Sequence, residues 1–262
     1  MLKKLKITKR QKFIASTVIL AAGLLTVQFV NIAWRYQTIA GLAVLTYFLS
    51  AWSLSEGLSG IEWLTVLTLP TLFTAGVGLF YFLIPVSWLA RLPVIALYSL
   101  GLYALLLTEN IFSVAAIRTI QLLRSAQTVG FLLTLATCFF LFDTVLSYRF
   151  NPWLNFFLVF GVSFPLFLQG LWYINLEEKI SRQIWLYTIG LSMVLAELSL
   201  AFSFWPVNVA VGSLALTTVA YVNLGLAQHH LSERLFPRTT REYLTTGFLV
   251  LLIIFLTTRW GG

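Results

Sequence analysis

Two carboxylates stand inside apolar runs and are the first candidates for chemistry. Glu197 lies in VLAELSLAFSFW and Asp143 in FFLFDTVLS. An acid near the centre of a bilayer costs a few kcal/mol or more on insertion, so its position calls for a function or a partner. Glu197 precedes Trp205 by eight residues, about 12 Å of helix at a rise of about 1.5 Å per residue. Gly190, Met193 and Ala201 share its helical face, small or flexible residues that let another helix approach. Glu197 is therefore expected to face a helix bundle, either as a proton or cation carrier or bonded to a neighbouring hydroxyl. Asp143 lies one turn from a helix end, within reach of Arg149, Arg91 or Arg35, and there an ion pair is the stronger expectation.

A third group is His229, His230 and Glu233. A histidine and an acid at i and i+4 can share a metal. Nothing supplies a third ligand at recognisable spacing, because the one cysteine, Cys138, lies far away in sequence. Solvated residues at a helix end are the stronger reading. Gly57-Leu58-Ser59-Gly60 matches the GxSG pattern of rhomboid intramembrane proteases, but it falls in a short inner loop and the second span has no histidine. No phosphate-binding glycine loop, HExxH or other cofactor motif occurs, and no cofactor is expected. The chemistry on offer is proton, ion or lipid handling.

The elements that must position these residues are membrane spans. Of 262 residues 59% are hydrophobic and 10% charged, and the mean hydropathy is +0.90; a soluble domain carries about 25% charged residues. A spanning helix needs roughly 20 apolar residues. Nine such segments stand out: Phe13–Val30, Thr38–Leu54, Ile61–Ile84, Ala90–Leu107, Gln127–Ser147, Trp153–Tyr173, Ile184–Phe204, Val207–Ala227 and Tyr243–Thr258. The expected fold is all-α, one polytopic transmembrane bundle over residues 1–262. Residues 1–12 form a basic cytoplasmic tail and 228–242 an inner loop.

Charge orients the spans. With the N-terminus inside, thirteen Lys and Arg fall in inner segments and four in outer ones, the asymmetry of the positive-inside rule. The C-terminus is then outside and the location is the inner, cytoplasmic membrane of a cell. All nine tryptophans lie near a span boundary, where an indole keeps its ring half dry and its N–H partnered. The net charge of +8 belongs to this pattern and implies no nucleic acid. The partner is the lipid bilayer; the sequence names no protein partner.

Between the fourth and fifth spans, Arg118, Gln121, Ser125 and Thr128 alternate helically with Phe112, Ala116, Ile120 and Leu123. This predicts an amphipathic helix over 109–126 in the inner headgroup plane, with Arg118 and Arg124 on anionic lipid headgroups. Pro70 and Pro165 fall inside the third and sixth spans, where each removes a backbone hydrogen bond and is expected to kink its helix. The two segments suggest an inverted repeat. The Pro-to-Gly gaps differ, eight residues to Gly78 against five to Gly170, and coincidence is the stronger reading.

The run ENIF-VAAIRTIQLLR-A-TVGFLLTL, continuing into FFLFDT, resembles a family of uncharacterised multi-spanning bacterial membrane proteins, a domain of unknown function. The likeness is strongest over Glu109–Ser147. It implies a membrane fold and carries over no activity or site residue. On the residues alone, a transporter or permease-like protein for a small solute or lipid ranks first. A non-catalytic scaffold, sensor or assembly partner ranks second, and an enzyme on a lipid or lipid-linked substrate third.

Overall fold

The computed structural model of the chain describes residues 8–27, 29–84, 88–115, 121–205 and 207–258. Among them are nine helices long and apolar enough to cross a membrane, and no strand. They are α1 Lys9–Val27, α2 Arg35–Leu54, α3 Glu62–Tyr81, α4 Trp88–Ala115, α5 Leu123–Ser147, α6 Pro152–Asn175, α7 Arg182–Phe202, α8 Val209–Leu231 and α9 Pro237–Thr257, with a short 3-10 turn at Ile32–Trp34. The shortest has 19 residues, about 28 Å at the helical rise, close to the thickness of a hydrocarbon core. The chain is a polytopic membrane protein.

Three boundaries differ from the expectation. Residues 109–115 continue α4, and 123–126 open α5, so the described parts of 109–126 belong to two long helices and not to a separate one. Arg118 lies outside the described residues. The expected loop over 228–242 shrinks to 232–236, because α8 runs to Leu231 and α9 begins at Pro237. Of the basic tail, Lys9, Arg10 and Lys12 form the first turn of α1. Polar helix termini carry no hydropathy signal, which is why they read as loop.

The chain divides into two compact units, Met1–Gly130 and Phe131–Gly262. In the first, α2 packs on α1 and α3, and α4 packs on α1, α2 and α3. Leu20, Leu24, Leu67, Leu69, Leu102 and Leu105 are fully enclosed. Across the α3–α4 seam the Phe73 ring stacks on Tyr98, with centroids 5.8 Å apart, and the Tyr98 hydroxyl bonds Thr74 Oγ1 at 3.0 Å. Gly101 gives the Phe73 ring its place, since a Cβ there would stand 2.8 Å from it. Ser59 and Glu62 close the turn before α3: the Ser59 amide donates to Glu62 Oε2 at 3.0 Å and the Glu62 amide to Ser59 O at 2.9 Å. The backbone bond closes a turn and the side-chain bond ties Glu62, in the first turn of α3, back to it, which gives the GLSG stretch a turn-forming role, with Gly60 at φ +46.

One electrostatic tie joins α1 to the loop after α2. Glu56 lies 3.2 Å from Lys12 Nζ and 3.5 Å from Lys9 Nζ, and the Lys12 ammonium rests 5.6 Å over the Trp52 ring. The hydrogen bond from Lys12, with both lysine charges behind it, holds the Glu56 carboxyl below its ordinary 4.5. A depressed folded value means that the contribution to stability is present above the unfolded value and is lost as the pH falls through the folded one. Acidification below about pH 4.5 should therefore lower the wild-type unfolding midpoint more than that of Glu56→Gln. The pair is exposed, so the difference should be small and shrink with added salt.

In the second unit α6 and α7 form the closest pair, α8 packs on both, and α9 packs on α8. Polar caps fix the starts. Asn151 Oδ1 accepts from the Trp153 amide before α6, Ser181 Oγ from the Ile184 amide before α7, and Asn208 Oδ1 from the Ala210 amide before α8. Trp172 is buried near the end of α6 and its Nε1 donates to Glu177 O at 3.0 Å. Trp172→Phe removes that donor and leaves a void where the buried indole was, and should destabilise by more than the roughly 1 kcal/mol of the hydrogen bond alone in an unfolding titration. Pro70 and Pro165 sit within α3 and α6, both of which continue through them.

Candidate functional site

The buried face of α7 carries Thr188, Ser192, Leu195, Ala196 and Ser199. Small side chains let the α6 backbone come close. Glu197 is not on that face. It is exposed, as are Gly190, Met193 and Ala201, the residues expected to draw a neighbour onto it. The expectation that Glu197 faces the bundle is thus overturned by the burial pattern: the hydroxyl-bearing stripe, not the glycine–alanine one, is what α7 turns inward.

Asp143 on α5 is enclosed, with 6% of its surface exposed. Its partner is neither Arg149 nor any other described arginine. Ser213 Oγ on α8 donates to Asp143 Oδ1 at 3.1 Å. Gly212, the residue before Ser213, makes the approach possible. A Cβ there would lie 3.3 Å from Leu146 Cδ1, one turn beyond Asp143 on α5. Glu197 is exposed on α7 and Asp143 buried against α8, so the two acids do not share an enclosed site.

Directly above the Asp143–Ser213 pair, at the end of the unit where α5 and α7 finish and α6 and α8 begin, lies a pocket of about 590 Å³. Leu146 and Gly212 belong to its wall, so the pair lies just behind the lining. Phe150, Phe202, Trp205 and Val207 supply apolar surface; Arg149, Asn155, Ser203 and Asn208 supply polar groups. A volume of this order falls within the range of small-molecule sites.

Two polar groups stand out. Arg149 is exposed, holds a left-handed backbone at φ +47, and makes no ion pair among the described residues. Asn155 is only 3% exposed. Its Nδ2 donates to Ser203 Oγ at 3.2 Å and to Phe150 O at 3.5 Å, which sets the amide's orientation. Asn155 Oδ1 is buried and accepts no hydrogen bond among the described residues. Neither residue was legible as a candidate: Arg149 reads as loop and Asn155 as the polar edge of a span. The signal was their position, on either side of the start of α6, the helix that follows the one bearing an intramembrane acid.

The other candidates disperse. His229 packs against the Tyr243 ring on α9 and His230 against the Tyr187 ring on α7, so the two imidazoles turn to different helices. Glu233 is exposed beyond the end of α8, at φ +55. No group of three His, Cys, Asp or Glu able to hold a metal occurs among the described residues. Arg124 is exposed in the first turn of α5. A further acid that the sequence reading passed over, Glu109, is fully buried in α4.

Over residues 15–257 the chain matches the family described as protein of unknown function (DUF5656). No curated protein and no solved structure matches it.

Proposed function

We propose that this chain, which belongs to the family of proteins of unknown function DUF5656, is a permease-like membrane protein that receives a small solute or a lipid headgroup in the pocket of its second unit. The observation that carries the reading is the placement of a buried acid pair, Asp143 and Ser213, just behind the lining of an open pocket with a free arginine at its rim. An acid bonded to a hydroxyl can exchange that bond for one to water or ligand, which is what a coupling site requires. A scaffold has no use for such a pocket, and the dispersal of His229, His230 and Glu233 removes the cluster that an enzyme at the opposite end would need.

The excess of Lys and Arg in the expected inner segments supports an outer position for the pocket. With the N-terminus cytoplasmic and the C-terminus outside, α5 and α7 run outward and end at it. Arg124 then lies at the inner headgroup layer, on anionic lipid. Glu197, exposed on α7, takes no part in transfer, and Glu197→Gln should leave it unchanged. Pro70 and Pro165 each leave a backbone carbonyl without its usual donor, which lets α3 and α6 bend as access alternates.

The reading is tested without knowing the ligand. The full chain in neutral detergent is heated with a panel of soluble anions, polyols and lipids, beside Val207→Trp, which fills the pocket. A bound ligand stabilises by RT ln(1 + [L]/Kd), about 2.7 kcal/mol at a hundredfold excess over Kd. At least one compound should raise the midpoint of the wild type and not of the variant. If every stabilising compound acts equally on both, the pocket is not a ligand site.

A further inference from the structure

We infer that the pocket takes an anionic group with a hydroxyl beside it, of which a glycerophosphate is the simplest example. This deepens the ligand-site reading and rests on it. Arg149 is the only formally charged residue among the described lining residues, and no carboxylate among the described residues pairs with it. A free guanidinium at the rim selects an acid, and its planar fork suits the oxygens of a phosphate or carboxylate.

Asn155 sets the second requirement. Its Nδ2 is already committed to Ser203 and Phe150, so the amide atom left without a partner among the described residues is an acceptor, Oδ1, enclosed behind the lining, and a ligand reaches it only as the lining side chains shift aside. A buried acceptor left unmade is costly, and a ligand that brings a donor gains what the free protein lacks. The donor has to be a hydroxyl and not an ammonium: the described lining offers one positive charge and no negative one, so a cationic head would meet repulsion with no compensation. The carbon skeleton meets Leu146, Phe150, Phe202 and Trp205. Two sources present this chemistry, a soluble glycerophosphate and the headgroup of phosphatidylglycerol, and the test separates them.

Binding to the full chain is measured by native mass spectrometry for glycerol 3-phosphate against methyl phosphate, and for phosphatidylglycerol against phosphatidylmethanol and phosphatidylcholine. Each methyl ester keeps the phosphate and lacks the hydroxyl. A site built to bond a hydroxyl rejects the analogue without it, so the glycerol compound should bind at least about tenfold more tightly than its methyl counterpart. Arg149→Gln, a change at an exposed position that leaves the fold intact, should weaken it by about tenfold or more, and Arg149→Lys by less. Preference for the soluble pair identifies a solute site; preference within the lipid series alone identifies a headgroup site. Equal binding of the methyl esters, no binding of either glycerol compound, or an unchanged affinity in Arg149→Gln overturns the inference. The ligand-site reading survives that failure if another compound of the thermal panel distinguishes wild type from Val207→Trp.

Discussion

Ser213→Val should destabilise the protein by about 1–3 kcal/mol, the cost of leaving one buried partner of a hydrogen bond unsatisfied. Valine is one methyl group larger than serine and cannot donate to Asp143 Oδ1, which is otherwise enclosed on α5. The bond itself is worth less than its loss: interhelical hydrogen bonds in membrane proteins average about 0.6 kcal/mol and reach about 1.7. The difference lies in what remains. Asp143→Asn keeps an acceptor for Ser213 and should cost less than Ser213→Val. The double variant Asp143→Leu with Ser213→Val removes both polar partners and should recover most of the stability. Reversible unfolding in mixed micelles measures all three. A neutral Ser213→Val would mean that water from the pocket already reaches Asp143, and that the pair is not closed in the resting state.

The largest local effect is expected where α9 docks. Among the described residues of α9 only Gly247 and Ile254 are buried. The helix is held through close approach on both sides: a Cβ on Gly225 of α8 would collide with the ring of Tyr243, and a Cβ on Gly247 would lie 2.6 Å from Val222 Cγ2. The Tyr243 ring is hemmed in on two sides, with the Tyr221 ring tilted against it at 4.9 Å and His229 meeting it edge-on at 5.6 Å. Gly225→Ala should cost about 1–3 kcal/mol as overpacking, and Gly225→Leu should release α9 while α6, α7 and α8 stay packed. A cysteine pair reports this. The Cβ positions of residues 222 and 247 lie 3.9 Å apart, within disulfide range. In a Cys138→Ser background, Val222→Cys with Gly247→Cys should cross-link almost completely, and adding Gly225→Leu should abolish the link.

The nine helices were legible because each holds an apolar run long enough to span, and such runs need no tertiary information. Their ends were not. Arg238 and Glu242 pair at 3.0 Å one turn apart on α9, so a polar stretch is helix where hydropathy reads loop. The last turns of α4 hide a buried Glu109 in the same way. For the site, Asp143 announced itself as an acid in an apolar run, but its partner did not. A serine in a helix can always bond its own backbone, so nothing in the sequence marks Ser213 as the one that donates across. Glu197 failed for a related reason. Small residues permit approach without requiring it, and α7 carries two such stripes; the stripe that packs, Thr188, Ser192, Leu195 and Ser199, was distinguished by its hydroxyls.

The permease reading stands or falls on whether the site behind the pocket opens to both sides of the membrane. Because Cys138 is the only native cysteine, Ser213→Cys with Cys138→Ser gives a single thiol beside Asp143. A membrane-impermeant, charged methanethiosulfonate reagent is then applied to sealed right-side-out and inside-out vesicles containing the full chain. The account predicts modification from both sides, faster from the side of the Arg149 rim, with each rate changed by a ligand that the thermal panel identifies. Modification from that side alone, whatever ligand is present, would contradict transport and leave a binding protein with one open face.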